Sequence, residues 1–270
     1  MKNRSVANRI TELDLFRGIA VILMIFDHIM FDLWGLFPSV FEGYPARDGF
    51  WWKVYETAYE YWFWDVRELA RGIVVFVFLA LTGICCSFSR SNIKRAGKLG
   101  AVALLMSAVT FAVGYAIGDL DIGIMFGVLH CVAVTLLLVG LLEKLRADKL
   151  VFLSVGILML AAGIYLGRSV PYISYGSMPT LQLLWRTVIG TAECGGDSFP
   201  LFYNGGQIMI GVFLGKWLYA KRKPLLFKKY KNNLLTFVGR HSLLVYVVHQ
   251  IAIPVIVGGI MLLCGFKILM

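Results

Sequence analysis

The chain has 270 residues, 59% hydrophobic and only 16% charged, with a mean hydropathy of +0.76. Soluble domains carry about a quarter charged residues, so this composition excludes an ordinary water-soluble enzyme and points to lipid as the main solvent. A formal net charge of +10 in a soluble protein would suggest nucleic acid. Here the cations cluster at the ends of apolar runs, where membrane topology accounts for them without a nucleic-acid partner.

A helix needs about 20 mostly apolar residues to cross the hydrocarbon core. Seven stretches qualify: 13–35, 69–88, 98–117, 122–142, 150–167, 200–220 and 242–265. The first is too long and too charged for a cleavable signal, and no small-residue cleavage site follows it. Segment 180–192 is apolar but short and interrupted by Arg186, so it reads as interfacial or re-entrant. Lys and Arg are concentrated at residues 2–9, 90–98, 144–149 and 216–231. That alternation sets the N-terminus in the cytoplasm and the C-terminus outside. The run KRKPLLFKKYK (221–231) suits anionic headgroups as well as topology. The expected fold is an all-α integral membrane protein, a bundle of about seven transmembrane helices in one domain spanning 1–270. Five cysteines show no metal or disulfide spacing. The outer segment 36–68 is unusually aromatic, as expected of an interfacial belt or of a lid that stacks on a sugar.

Ionisable residues inside spans are costly and usually face a cavity or a partner. In the first span Asp14, Arg17, His28 and Asp32 share one stripe at 100° per residue, while Asp27 points away from it. Asp14 and Arg17, three apart near the inner surface, suit a structural lock or a binding site. His28 and Asp32, four apart in the outer third, suit a general base whose imidazole is supported by a carboxylate. His130, in FGVLHCVAV, is at similar depth and could share that cavity or bond a backbone carbonyl. Asp65, Arg67, Glu68 and Arg71 open the second span as a polar rim that would bind an outer substrate or remain a solvated network, and Asp197 could join it. The last span opens with GRHSLLVYVVHQ. There Arg240, with Ser242 as the helix cap, could form a phosphate site, and His249 lies farther in. Walker A, metal-cluster and G-x-S-x-G signatures are absent from the sequence.

Taken together these segments resemble a known family. LDLFRGIAVILMIFDH (13–28) is similar to the opening helix of the heparan-α-glucosaminide N-acetyltransferase catalytic family, especially its small bacterial members. FLALTGICCSFSRSNIKR (78–95), FGVLHCVAVTLLL (126–138), FPLFYNGGQIMIGVFLGK (199–216) and VGRHSLLVYVVHQ (238–250) follow in the family's order. The resemblance implies acyl transfer across a bacterial inner membrane, from cytoplasmic acetyl-CoA to an amine or hydroxyl of a sugar or cell-surface glycan outside, with no metal. It implies that Asp14, Arg17, Arg240, Ser242 and His249 serve the CoA donor. His28, with Asp32, would be catalytic. His130, Asp65 and Arg71 would serve the acceptor. The outer loop lacks the histidine of the lysosomal members, so their mechanism does not carry over directly. Lipids are the remaining partners, and a homodimer is left open. Two other functions fit the intramembrane polar groups: a proton-coupled transporter or flippase, and a non-catalytic scaffold.

Overall fold

The computed structural model describes residues 10–45, 49–226 and 233–269. Lys2, Arg4, Arg9, Arg47, Lys228, Lys229 and Lys231 lie outside them, so much of the basic run does too. The structure is predominantly helical, and five of its helices are long and apolar enough to cross a membrane. The chain divides into two compact units: residues 1–78 with 226–270, and residues 79–225.

The first unit is built on α1 (Thr11–Phe31). Its first turn carries Glu12 and Asp14, whose charges complement the positive end of the helix. After Phe31 the helix widens into a π-helical turn, Asp32–Leu36, and then a short helix α2 (Phe37–Val40). The chain next forms β1 (Phe41–Glu42), which pairs antiparallel with β2 (Lys267–Ile268) near the end of the chain. The aromatic segment is helix α3 (Phe50–Trp62), and α4 (Asp65–Cys86) follows it. The unit closes with α10 (Leu234–Arg240) and α11 (Ser242–Leu263). Asn233 starts α10 with a capping box: its side chain accepts the Thr236 N–H, and its own N–H reaches Thr236 Oγ1, both at 3.0 Å.

α10 lies backbone to backbone on the inner half of α1. A Cβ on Gly18 would meet the Leu235 carbonyl, and one on Gly239 would meet the Asp14 carbonyl. Small residues permit this approach, which is how helices associate where lipid is as apolar as the side chains.

In the second unit α5 (Asn92–Ile117) is capped by Ser91 and stopped by Gly118, whose φ of 78° suits glycine. α6 (Val128–Lys144), α7 (Lys149–Leu166), the short α8 (Thr180–Ile189) and α9 (Leu201–Leu218) complete it. α9 passes close to the end of α4, where a Cβ on Gly211 would meet the Ala80 carbonyl. Large apolar side chains such as Leu104, Leu105, Leu158 and Ile164 are exposed, as a lipid-facing surface requires.

α1, α4, α5, α7 and α11 are the five apolar helices of spanning length. The other two expected spans are the 17-residue α6 and the 18-residue α9, which fall outside that set. α6 starts later than the expected 122, because 118–127 are turns and a single 3₁₀ turn at Leu120–Ile122. Residues 180–189 form a helix of ten residues, too short to cross.

The close approach at Gly239 gives a test. Gly239→Ala should lower stability by about 1–3 kcal/mol, because the added methyl meets main chain rather than a movable side chain. Gly72→Ala, where a Cβ meets nothing within 4 Å, should be neutral or slightly stabilising. Thermal unfolding of both variants in detergent separates the two outcomes.

Candidate active site

Two histidines of the first unit meet on facing helices. The His28 ring on α1 and the His249 ring on α11 stand edge to face, with centroids 5.0 Å apart. Each ring is tethered the same way. His28 Nδ1 is 2.8 Å from the Met24 carbonyl, and His249 Nδ1 is 3.2 Å from the Val245 carbonyl, one helical turn back in each case. A carbonyl only accepts, so each Nδ1 carries the proton and each Nε2 keeps its lone pair. His249 Nε2 is buried with no hydrogen-bond partner among the described residues, and so is Gln250 Oε1 beside it. Tyr246 completes the group: its ring packs edge-on to His249, and its hydroxyl accepts from Gln250 Nε2 at 3.3 Å. Buried polar atoms left open in this way usually await a ligand, water or proton.

Two expectations change here. Helical spacing pairs His28 with Asp32, but the His28 ring turns back to the Met24 carbonyl and lies against His249. Asp32 is buried at the start of the π-turn, and no hydrogen bond or ion pair to its carboxylate occurs among the described residues. The neighbour of His28 is therefore a second imidazole. His249, in turn, lies beside His28 and not with Arg240. Nine residues of helix at about 1.5 Å each separate it from Arg240.

The N-terminal end of α1 holds a separate cluster. Asp14 Oδ2 accepts from Arg240 Nε at 3.3 Å, joining α1 to α10, and both side chains are largely buried. Glu12, fully buried, accepts the Leu226 N–H at 2.8 Å. Arg17 is half-buried, one turn along from Asp14. Ser242 is not a cap. The chain runs from α10 through His241 directly into α11, so Ser242 is the first helical residue and no side chain caps that start. The helix terminus expected to receive a phosphate is thus preceded by another helix.

Toward the C-terminal end of α1, Asp27 and Arg67 carry the interaction that helical periodicity did not reveal. Arg67 Nε donates to Asp27 Oδ1 and the terminal NH2 to Oδ2, both at 2.8 Å. The Tyr61 hydroxyl donates to Oδ1 at 3.0 Å, and the face of Trp62 lies 3.5 Å from the guanidinium carbon. Asp65, Glu68 and Arg71 are exposed and form no ion pair among the described residues, while Arg67 is the buried member. The available signal was Asp27 itself, a carboxylate facing away from the polar stripe and so in need of a cation from another helix. Beyond this lie Phe37, Phe41, Tyr44 and Met261, an apolar cluster joined by Trp51, Tyr55 and Phe266.

The second unit holds His130. Its Nε2 is 3.2 Å from Ser107 Oγ, which donates its own proton to the Ile124 carbonyl at 2.5 Å. Nε2 therefore carries the hydrogen, and Nδ1 is buried without a partner among the described residues. Asp197 accepts the Val128 N–H at 3.1 Å and so caps α6, where Gly127 offers no side chain. Among the described residues no three His, Cys, Asp or Glu side chains gather where they could hold a metal.

The model of the catalytic region of heparan-alpha-glucosaminide N-acetyltransferase matches residues 9–251, most of the chain and every element of the histidine site. The chain belongs to this family. No curated protein and no solved structure matches it. Membership of the acetyltransferase family makes the chain a multi-pass membrane transferase, and the His28–His249 pair falls inside the matched region.

The aromatic cluster supplies a pH test. The Tyr44 hydroxyl donates to the Leu33 carbonyl at 2.8 Å, and burial, with Tyr55 adding, pushes its pKa from 10.0 up to about 12. The folded chain then holds this proton more tightly than the unfolded chain. That stabilisation is complete below pH 10 and lost as pH rises towards about 12. Tm in detergent should fall through this window. Tyr44→Phe should start lower by the loss of one hydrogen bond, about 0.5–1.5 kcal/mol, and then fall less steeply.

Proposed function

We propose that this membrane acetyltransferase moves an acetyl group from cytoplasmic acetyl-CoA to an amine or hydroxyl of a sugar or cell-surface glycan on the outer side, with His28 as the general base. The observation that carries the reading is the pair of imidazoles whose Nδ1 atoms are engaged by backbone carbonyls, leaving the Nε2 lone pairs between α1 and α11. His28 Nε2 takes the proton of the acceptor amine or hydroxyl as that atom attacks the thioester carbonyl. The carbon–sulfur bond breaks, and the sulfur leaves as the CoA thiolate, which is protonated in turn. His249 orients and buffers the base from the facing helix. An imidazole near neutrality is the group best matched to such a transfer.

The donor fits the inner cluster in chemical kind. Arg17 and Arg240, with Asp14 fixing the latter, would meet the phosphates of CoA, and Ser242 offers a hydroxyl beside them. His130, Asp65 and Arg71 are proposed on the acceptor side. The β1–β2 pairing joins residue 41 at the far end of α1 to residue 268 beyond α11, which supports opposite sides for the two termini and an odd number of spans. Lysine and arginine bias favours a cytoplasmic N-terminus in a bacterial inner membrane. The family match runs through both compact units, which supports a single functional domain.

Binding of acetyl-CoA and release of CoA thiol with glucosamine as acceptor test this reading on the purified protein. His28→Ala should lose about 10²–10⁴-fold in transfer while binding acetyl-CoA as the parent does. Failure of the parent to bind acyl-CoA at micromolar concentration, or full activity in His28→Ala, would overturn it.

A further inference from the structure

The Asp27–Arg67 ion pair lies between α1 and α4, and nothing in acyl transfer calls for it. Its position on α1 is what gives it meaning. Asp27 directly precedes His28, so the two side chains leave the helix about 100° apart. Any rotation of α1 that moves Asp27 moves His28 by the same angle.

The carboxylate of Asp27 is held from three directions. Arg67 grips both oxygens in a fork at 2.8 Å, and the Tyr61 hydroxyl bonds Oδ1 at 3.0 Å. Trp62 covers the guanidinium at 3.5 Å, and Phe26 packs edge-on to Tyr61 with centroids 5.2 Å apart. Both charged side chains are largely buried, 7% and 17% exposed. In lipid the carboxylate has nowhere else to turn, because water is absent and an unpaired charge is costly. Buried ion pairs contribute little net stability but are well attested as devices that set register.

The rest of α1 leaves this job open. Its inner contacts, at Asp14 and Gly18, are nine or more residues before Asp27. Immediately beyond His28 the helix widens into the π-turn at Asp32, which re-phases whatever follows. Between these limits Asp27 provides the polar fix on the helix's rotation next to the histidine.

We infer that the Asp27–Arg67 pair, with Tyr61 and Trp62, is a positioning device that fixes the roll of α1 so that His28 faces His249. Asp27 and Arg67 are positioning residues, acting through His28, and the catalytic consequence rests on the reading of His28 as the base.

The experiment uses the full chain in detergent, with acetyl-CoA and glucosamine as probes. Arg67→Lys keeps the charge but loses the fork, and Tyr61→Phe removes one hydrogen bond while sparing the ion pair. Arg67→Lys should lower kcat by about 10²-fold, the scale of a misplacement near 1 Å, with KM for acetyl-CoA unchanged. Tyr61→Phe should show a smaller loss in kcat at unchanged Tm, which separates positioning from folding. A second readout does not need activity. In a His28→Cys/His249→Cys background, a short thiol cross-linker should join positions 28 and 249 readily, and more slowly once Tyr61→Phe or Arg67→Lys is added. Unchanged kcat and unchanged cross-linking in both clamp variants would overturn the inference. A raised KM for glucosamine at full kcat would also overturn it, making Arg67 an acceptor-binding group. Full activity in His28→Ala with slowed cross-linking would instead remove the catalytic reading and leave the positioning device standing.

Discussion

In hydrocarbon a polar group can be satisfied only by the protein itself, and the first unit is arranged around that constraint. Glu12, Asp14, Asp27, His28 and Asp32 all project from one helix, where an isolated helix would expose each of them to lipid. Four of the five have an identified hydrogen-bond partner: the Leu226 amide for Glu12, Arg240 for Asp14, Arg67 and Tyr61 for Asp27, and a carbonyl one turn back for His28. α1 therefore depends on α3, α4, α10 and the chain at Leu226 for its polar side chains as much as for its apolar ones. The elements that surround it are the ones that satisfy it.

The same constraint explains the chemistry available. An imidazole in water has both nitrogens hydrated. On α1 and α11 the helix's own carbonyls take one nitrogen from each ring, and the second is left to whatever enters the pocket. Backbone geometry alone sets which nitrogen of each ring is engaged. That arrangement differs from the carboxylate–imidazole pair that sequence spacing suggests, and it asks less of side-chain placement, since a helix always offers a carbonyl four residues back.

Much of this was legible in the sequence. The apolar runs that give α1, α4, α5, α7 and α11, the polar stripe on α1 and the five motifs in family order are all local patterns. What was not legible is non-local or irregular. His28 and Asp32 look like neighbours at helical spacing, but the His28 ring is tied back to the Met24 carbonyl and packs against His249 of another helix. Asp14 bonds Arg240, 226 residues later, and no local pattern announces that contact. Asp65, Glu68 and Arg71 draw the eye by their density, yet the buried cation is Arg67, chosen by what faces it. Ser242 has the residue type of a cap, but a helix already occupies the position before it. Periodicity reports one helix at a time, and partners belong to two.

The first unit is also discontinuous in the chain. Its two parts, 1–78 and 226–270, are separated by the whole of the second unit. A ribosome therefore delivers α1 to the membrane long before α10, α11 and β2 emerge. In that interval Glu12 and Asp14 lack their partners at Leu226 and Arg240, while Asp27 can already meet Arg67. The order of synthesis makes the Asp27–Arg67 pair the first long-range fixture of α1, and the histidine pair one of the last features to be assembled. A nascent chain halted before α11 would hold His28 without the facing imidazole.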